Sequence, residues 1–414
     1  MATGPARPRR PQWVLGLALL AVVLAVGAGG SWGWWRQTHQ GQAMNVPDDK
    51  LISPFAPWPT PPPREAAPQG PPFVTSVSPD GRSFLDQYGR PLLLAGDSPW
   101  ALMTRLSPRQ ARRWFADRQE QGFNAAIVSL IGATANGAPS DDGATFDGLL
   151  PFVDGDVLRW QEPYWQRVTA YLRLAADHGI TVMLYPIDGW TIGHSFVPTS
   201  AEQCRRYGAK VAERFRGLPN IVWMTGGDYV PDTDDLARGS DVDHCVDAMM
   251  RGIREAGDGR PFSIQLGARK SVSTDNPYWA PRVDWNFVYT YYPTYKAVLD
   301  AYRRQPAIPA VLGEANYEGE NNQPETPPTT DEPMDVLEND YVTAARTPDG
   351  RLAVIYLPSQ RTISVDPSAM AAGTRASWID PTSGARRPVP LSATFTTPGP
   401  NAAGDHDWLL VLTS

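Results

Sequence analysis

Two acidic residues follow short apolar runs that have the composition of buried strands. Asp228 comes after the run 221–225 and two glycines, and Glu314 comes directly after the run 310–313. Hydrolysis of a glycosidic bond uses a pair of this kind, because one carboxyl group protonates the leaving oxygen while the other stabilises or attacks the anomeric carbon. Each residue alone could also be a helix N-cap or a structural acceptor. The catalytic interpretation therefore depends on the two lying together.

Other polar and aromatic side chains follow further apolar runs of the same type. Carboxylates can accept hydrogen bonds from sugar hydroxyls, and flat aromatic rings can cover the apolar faces of sugars. Each of these side chains could equally serve in packing or capping. The candidate substrate-binding residues are Asp97 and Trp100 after the first strand, Asp188 and Trp190 after the third, and Tyr291 and Tyr292 after the sixth.

These residues can meet only if their strands are parallel and end at one edge. From residue 91 onward, short apolar runs alternate with segments of helical period, the pattern of repeated βα units and a parallel sheet. The predicted strands are 92–95, 125–130, 181–186, 221–225, 262–266, 287–291 and 310–313. The predicted helices are 108–121, 163–178, 201–215, 241–256 and 295–303.

Seven such strands indicate an α/β fold of the TIM type, a (β/α) barrel, in which side chains at the carboxyl ends of the strands share one cleft. A doubly wound sheet is the alternative, but residues 96–100 do not form the Gly-rich phosphate loop expected after its first strand. The segment between Gly319 and Glu338 is rich in Pro, Thr and acidic residues and is too short for another strand and helix. We therefore expect a barrel without a regular eighth βα unit.

Short alternating runs separated by turn residues replace this pattern in the last part of the chain. They predict a small antiparallel β-sandwich, with strands over 341–346, 352–357, 364–365, 376–379 and 408–412. The resulting domain boundaries are 73–325 for the barrel, 326–340 for a linker and 341–414 for the sandwich.

The N-terminal part has the pattern of an export signal. A basic segment, 1–12, precedes the apolar run 13–35, and a proline-rich linker, 36–72, follows. The apolar run is closer in length to a membrane-spanning helix than to a cleavable signal peptide, although small residues near its end leave cleavage open. Basic residues before it would keep that end in the cytoplasm. We expect an extracytoplasmic protein, anchored through this segment or secreted if the signal is cleaved.

The composition of the chain limits the kind of molecule that it is expected to bind. The net charge of −7 and the lack of long Lys/Arg runs argue against nucleic acid, and the 15 Trp and 15 Tyr fit a carbohydrate better. We predict no cofactor and no metal, because nothing has zinc or iron spacing and the acidic segment 232–243 lacks the pattern of a calcium loop. Cys204 and Cys245 could form one disulfide or remain two buried thiols.

Four motifs together resemble the apiosidase-like family of glycoside hydrolases. They lie at 94–102, 122–125, 220–228 and 313–319, and the resemblance extends over about 73–319. It implies a (β/α)8 barrel and a retaining, exo-acting enzyme with Asp228 as acid/base and Glu314 as nucleophile. The family's founding activity removes apiose from pectin, and its members carry an eighth βα unit for which this chain lacks room.

The C-terminal motifs 376–381 and 407–412 resemble the β-sandwich that often follows this barrel and is sometimes labelled a collagen-binding domain. Collagen binding does not follow from these residues. Two alternatives to the enzyme remain: a degenerate barrel that binds carbohydrate without turnover, and a surface-adhesion protein in which the barrel is a spacer. The adhesion alternative predicts no carboxyl pair at the cleft, whereas the degenerate barrel is favoured by the missing eighth unit.

Overall fold

The computed structural model describes residues 70–192, 199–229, 241–267, 270–291, 294–315, 342–347 and 349–414. The predicted N-terminal anchor at 13–35, nearly all of the proline-rich linker and the interdomain linker at 326–340 lie outside these ranges, as do most of the acidic residues of 232–243. Within the described ranges, no helix is long and apolar enough to cross a membrane.

Twenty strands and seven helices occur in the described ranges. The strands are β1 Val74–Val77, β2 Phe84–Asp86, β3 Pro91–Leu92, β4 Gly96–Asp97, β5 Ala125–Ser129, β6 Phe152–Val153, β7 Asp156–Trp160, β8 Thr181–Tyr185, β9 Ile221–Tyr229, β10 Phe262–Leu266, β11 Lys270–Val272, β12 Asn286–Thr290, β13 Ala310–Glu314, β14 Thr343–Arg346, β15 Leu352–Leu357, β16 Thr362–Ser364, β17 Arg375–Ile379, β18 Arg386–Val389, β19 Thr394–Thr396 and β20 Trp408–Thr413. The helices are α1 Leu102–Arg105, α2 Pro108–Glu120, α3 Glu162–Asp177, α4 Gly189–Ile192, α5 Ala201–Arg214, α6 Asp241–Glu255 and α7 Thr294–Arg303.

Seven parallel strands form the α/β body as predicted, and in the described ranges α-helices separate all successive pairs of them except β10 and β12. Five of them make one sheet in the order β10-β9-β8-β5-β4, and β12 pairs in parallel with β13 in a second sheet that β11 extends antiparallel. Every residue of β5, β8 and β10 is buried, as expected for parallel strands covered on both faces. This is a TIM-like arrangement.

Alternate residues of the parallel strands enter two different apolar clusters. Val182 and Leu184 face the helices, in a cluster that also holds Trp165 of α3. Met183 and Tyr185 face the other way and join residues of both sheets in an interior cluster. Each large apolar side chain buried in this way contributes about 1.5 to 3 kcal/mol. The two sheets therefore enclose one interior, as the strands of a barrel do. In a barrel the functional site forms at the carboxyl ends of these strands.

The leading strands β1 to β3 close one end of that interior. Phe84 of β2 is buried in the interior cluster and contacts the Trp285 ring edge-to-face, with centroids 5.6 Å apart. Trp285 immediately precedes β12, so the contact lies at the amino ends of the strands. The carboxyl ends of the parallel strands, at the opposite side, form the mouth of the interior.

The described strands do not close into a complete ring. β13 pairs only with β12 and β4 only with β5, and within the described ranges no ladder joins β13 to β4. No residue of β13 is fully buried, and Leu312 is 44% exposed. The first strand was predicted at 92–95, but the paired residues are Gly96–Asp97, because Pro91–Leu92 joins the leading hairpin instead.

A disulfide joins the helices on either side of β9. Cys204 of α5 is bonded to Cys245 of α6, which decides between the bridge and the two thiols left open by the sequence. The helices approach closely at Gly208, where an added Cβ would stand 2.0 Å from the Met249 carbonyl oxygen. Because Gly208 has no side chain, α5 and α6 can make the close contact that the disulfide then holds together.

The C-terminal residues form an antiparallel sandwich, as predicted. Its larger sheet has the order β14-β15-β20-β17-β18, and β16 pairs with β19 in a second. Trp378 and Trp408 are buried between them, with ring centroids 6.4 Å apart. The strands β18 and β19 were not predicted, since neither has an apolar alternation long enough to indicate a strand.

Candidate active site

Asp228 lies on a bulge near the end of β9. The ladder with β10 pairs Gly226 with Gln265, but the next pair is Tyr229 with Leu266, so the register of the ladder skips Gly227 and Asp228. An added Cβ on Gly226 would stand 2.0 Å from the Gln265 carbonyl oxygen. A bulge bends its strand and re-aims a side chain. Gly226 is therefore required by close approach as well as by the turn that the sequence indicated.

The backbone of Asp228 is itself unusual. It has a φ of 57°, following values of 97° at Gly226 and 79° at Gly227. A residue with a side chain pays about 1 to 2 kcal/mol in this left-handed region. Strained residues of this kind cluster at functional sites, where surrounding structure holds them in place.

Glu314 lies next to a second bulge, at the end of β13. Val288 pairs with Leu312, and the next pair is Tyr289 with Glu314, so Gly313 is skipped. An added Cβ on Gly313 would stand 2.1 Å from the Phe287 ring. Both predicted carboxylates are thus placed by a glycine-dependent irregularity at the carboxyl end of a parallel strand.

Gln265 holds the Glu314 carboxylate, although it was not among the site residues predicted from the sequence. Its Nε2 donates to Glu314 Oε2 over 2.7 Å, and its Oε1 accepts from the Tyr185 hydroxyl over 2.9 Å. Gln265 is 1% exposed. The sequence contains only a weak indication of this role. Gln265 is the single polar side chain near the end of a strand, Phe262–Leu266, that the sequence predicts to be buried.

Tyr289 of β12 is influenced by the charges of both carboxylates. Burial, and then the negative charges of Glu314 and Asp228, raise the pKa of the Tyr289 phenol well above its usual value. One hydroxyl therefore lies within electrostatic reach of both acids. The structure brings the predicted pair to a common place at the mouth.

Asp188 is buried beside this mouth and its oxygens are occupied. Oδ1 accepts from the backbone N–H groups of Trp190 and Thr191, and Oδ2 accepts from the Ser129 hydroxyl and from Asn136 Nδ2. The side chain is 1% exposed, and burial raises its pKa to about 6. These contacts are those of a cap on α4, and its role in substrate binding stays a prediction.

Three of the predicted aromatic residues are partly exposed. Trp100 contacts the Tyr185 ring edge-to-face at 5.1 Å, and the Tyr291 hydroxyl lies 3.2 Å from that of Tyr289. Trp190 is the second residue of α4, close to the Asp188 cap. Trp100 and Tyr291 therefore join the group around the carboxyl pair, as flat surfaces that a sugar could contact. Tyr292 lies outside the described residues.

The structure does not bring Asp97 to this group. Asp97 pairs with Ala126 in the ladder, near the beginning of β5, whereas the mouth lies at the strand ends. Its Oδ2 accepts from Arg118 Nε over 2.7 Å, near the end of α2. The predicted contact of Asp97 with substrate has no support from its position, because the paired strand begins later than the apolar run suggested.

The arrangement has the groups for acid/base and nucleophilic chemistry on an acetal. Two carboxylates lie within electrostatic reach of one phenol, and one of them accepts a hydrogen bond from a buried amide. The partly exposed rings of Trp100 and Tyr291 contact Tyr185 and Tyr289 of the same group. Among the residues that the structure describes, no three His, Cys, Asp or Glu side chains gather to hold a metal ion.

Comparisons with known proteins match both parts of the chain. A family model described as "Apiosidase-like, catalytic domain" matches residues 78–344. A second, described as "Putative collagen-binding domain of a collagenase", matches residues 333–413. No curated protein matches this sequence.

Solved structures with similar folds cover most of the chain. One, described as a glycoside hydrolase, is 17% identical with a TM-score of 0.63, over 83% of this chain and 97% of its own. Another, a glycoside hydrolase family 5 protein from Bacteroides vulgatus, is 17% identical with a TM-score of 0.63, over 82% of this chain and 93% of its own. At this level of identity the similarity shows the fold.

Proposed function

Because the chain belongs to the apiosidase-like family and is a glycoside hydrolase, we propose that it is a retaining, exo-acting glycosidase with Asp228 as acid/base and Glu314 as nucleophile. Its substrates are oligosaccharides derived from plant or microbial polysaccharides. The observation that carries the proposal is the position of both acids at bulges near the carboxyl ends of two parallel strands, β9 and β13.

The proposed reaction uses the pair in two steps. Asp228 donates a proton to the leaving oxygen while a Glu314 oxygen forms a bond to the anomeric carbon and the glycosidic bond breaks. Asp228, now ionised, then takes a proton from water, which attacks the same carbon and releases Glu314. Two displacements restore the original anomeric configuration, and both carboxyl groups return to their starting states.

Turnover by the pair is tested with aryl β-glycosides and pectic oligosaccharides. We expect the wild type to hydrolyse at least one of them, and Asp228→Ala and Glu314→Ala to lose activity. Azide should restore cleavage of activated aryl glycosides by both variants, with an inverted glycosyl azide from Glu314→Ala and a retained one from Asp228→Ala. No turnover by folded wild type would contradict the proposal.

Stereochemistry and mode of attack need separate measurements. NMR of the first product should show the configuration of the substrate, and timed product analysis should show single sugars released from one chain end. A product of inverted configuration would reject the retaining mechanism while leaving the pair in place, and early release of mixed oligosaccharides would reject exo action.

The proposal also places the enzyme outside the cytoplasm, held by the segment 13–35 or released after its cleavage. The apolar composition of that segment supports it, and so does the bond between Cys204 and Cys245, since disulfides persist in oxidising compartments. In cells that make the full chain, external protease should digest the barrel, and alkaline extraction should distinguish an anchored form from a released one. Complete protection from protease in intact cells would reject this location.

A carbohydrate-binding protein without turnover is the second candidate, favoured by one observation. Within the described ranges the outer edge of β13, which carries Glu314, pairs with no strand. An unsupported strand would hold the nucleophile less firmly. Retained sugar binding by a folded, inactive wild type would favour this candidate.

A further inference from the structure

Gln265 occupies a central position that the proposed chemistry leaves unexplained. It is 1% exposed near the end of β10, and both ends of its amide are engaged by side chains from other strands. Nε2 donates to Glu314 Oε2 over 2.7 Å and Oε1 accepts from Tyr185 over 2.9 Å. A buried amide with two such partners spans the interior from β8 to β13.

The chemistry of the partners fixes which way this amide faces. A carboxylate only accepts hydrogen bonds, so the NH₂ group must face Glu314 and the carbonyl oxygen must face Tyr185. The Tyr185 hydroxyl is then the donor of the second bond. Tyr185 therefore selects the amide orientation that presents an N–H to Glu314.

Tyr185 is itself held in place. It is fully buried in the interior cluster, and the Trp100 ring contacts its edge at 5.1 Å. A continuous series of contacts therefore runs from Trp100 through Tyr185 and Gln265 to Glu314.

We propose that Gln265 is the positioning residue of Glu314, and that Tyr185 fixes the orientation of its amide. The assignment rests on the proposed role of Glu314 as nucleophile. Gln265 fixes one carboxylate oxygen at the end of β13, whose outer edge pairs with no strand among the residues that the structure describes. Its N–H also stabilises the ionised form of Glu314, the form that attacks.

Gln265→Met tests this, because methionine keeps the length and burial of the side chain and removes the donor. We expect kcat to fall about 10- to 100-fold with KM little changed, since a displaced nucleophile impairs the chemical step. The acidic limb of kcat/KM should move to higher pH, because Glu314 loses a donor to its anion. Gln265→Glu should move that limb further, by adding a like charge.

Tyr185→Phe tests the orienting role. It should reduce kcat less than Gln265→Met, and the double variant should be no slower than Gln265→Met alone, since Tyr185 acts only through the amide. Additive losses would overturn the coupling. Ser263→Ala is the matched control: Ser263 is buried on the same strand and donates to the Trp285 carbonyl oxygen over 2.6 Å. Its loss should lower stability without moving the acidic limb.

A measurement that needs no turnover separates this inference from the proposed function. The Glu314 carboxyl resonance in ¹³C-glutamate-labelled full-length protein, identified by its loss in Glu314→Gln, reports its titration directly. A titration at higher pH in Gln265→Met than in wild type and Ser263→Ala supports the contact, even if no substrate is hydrolysed. An unchanged titration overturns the inference, even if the wild type is active and Glu314→Ala is not.

Discussion

Single residues at this site combine chemistry with conformational strain. Asp228 is proposed to exchange protons, yet its φ of 57° is one that a side chain disfavours. Asp188, one strand away, is a buried acid whose contacts are structural. Aspartate therefore has two different roles at this site, and the surroundings of each residue decide which. Each role can be tested by its own measurement.

Replacing Asp228 by glycine or by alanine separates the effect of backbone strain from the effect of losing the carboxyl group. We expect Asp228→Gly to be more stable than Asp228→Ala by about 1 kcal/mol, because glycine adopts positive φ without steric conflict. Both variants lose the carboxyl group, so they form a matched pair, and urea unfolding measures the difference. An alanine variant as stable as the glycine variant would show that the backbone at 228 is relaxed.

Asp188 should make the protein less stable as pH rises. Its pKa is about 6 when folded against a value of 3.8 for the free group, so the folded state binds the proton more tightly. The free energy of unfolding should then fall between about pH 4 and pH 6, by about 3 kcal/mol.

Asp188→Asn should remove that fall, since it cannot ionise. The two proteins are compared by urea unfolding across this pH range, because their other titrations cancel in the difference. Parallel curves would mean that Asp188 is ionised in both states.

At the scale of elements, the bulges on β9 and β13 are the devices that position the carboxyl pair. Regular strands would alternate their side chains without interruption, and a shift of one residue would turn each acid to the opposite face. Glycine permits each bulge by letting backbone or ring atoms approach: the Gln265 carbonyl at Gly226 and the Phe287 ring at Gly313.

Gly226→Ala should therefore destabilise the protein beyond the penalty of positive φ. Gly257 is the matched control, because its φ is 82° but an added Cβ would meet nothing within 4 Å. We expect Gly226→Ala to lose about 2 kcal/mol more than Gly257→Ala, since the backbone oxygen of Gln265 must move. Equal losses in urea unfolding would mean that only the φ conflict matters.

At the scale of the whole molecule, the disulfide is the covalent link between distant parts of the barrel chain. Cys204 and Cys245 are separated by 41 positions, on two helices that flank the strand carrying Asp228. A cross-link over this distance restricts the unfolded chain, which favours the folded state.

Removal of the disulfide should lower stability without altering the catalytic pair. We expect Cys204→Ala/Cys245→Ala to lose about 2 to 4 kcal/mol, measured by urea unfolding. Wild type in reductant should move to the same midpoint as the double variant. A variant as stable as oxidised wild type would show that the link adds nothing.

Much of the fold could be predicted because periodic burial is a local property of the chain. Six of the seven parallel strands were predicted within a few residues, Phe262–Leu266 with its observed bounds. The first strand was misplaced because Pro91–Leu92 pairs with the leading hairpin, so the parallel strand begins only at Gly96. The strands β18 and β19 were missed because they are short and partly polar.

The sequence by itself determined the family, the sequence of βα units and the two acids that follow strands, since these depend on residue type and spacing. Tertiary structure alone decided that Gln265 and Tyr185 reach Glu314, that Asp97 lies away from the mouth, and that Asp188 is enclosed. The physical reason is that hydrogen bonds and burial depend on distances between strands far apart in the chain. Those distances are set by register and by bulges, and a single shifted pair changes which side chains meet.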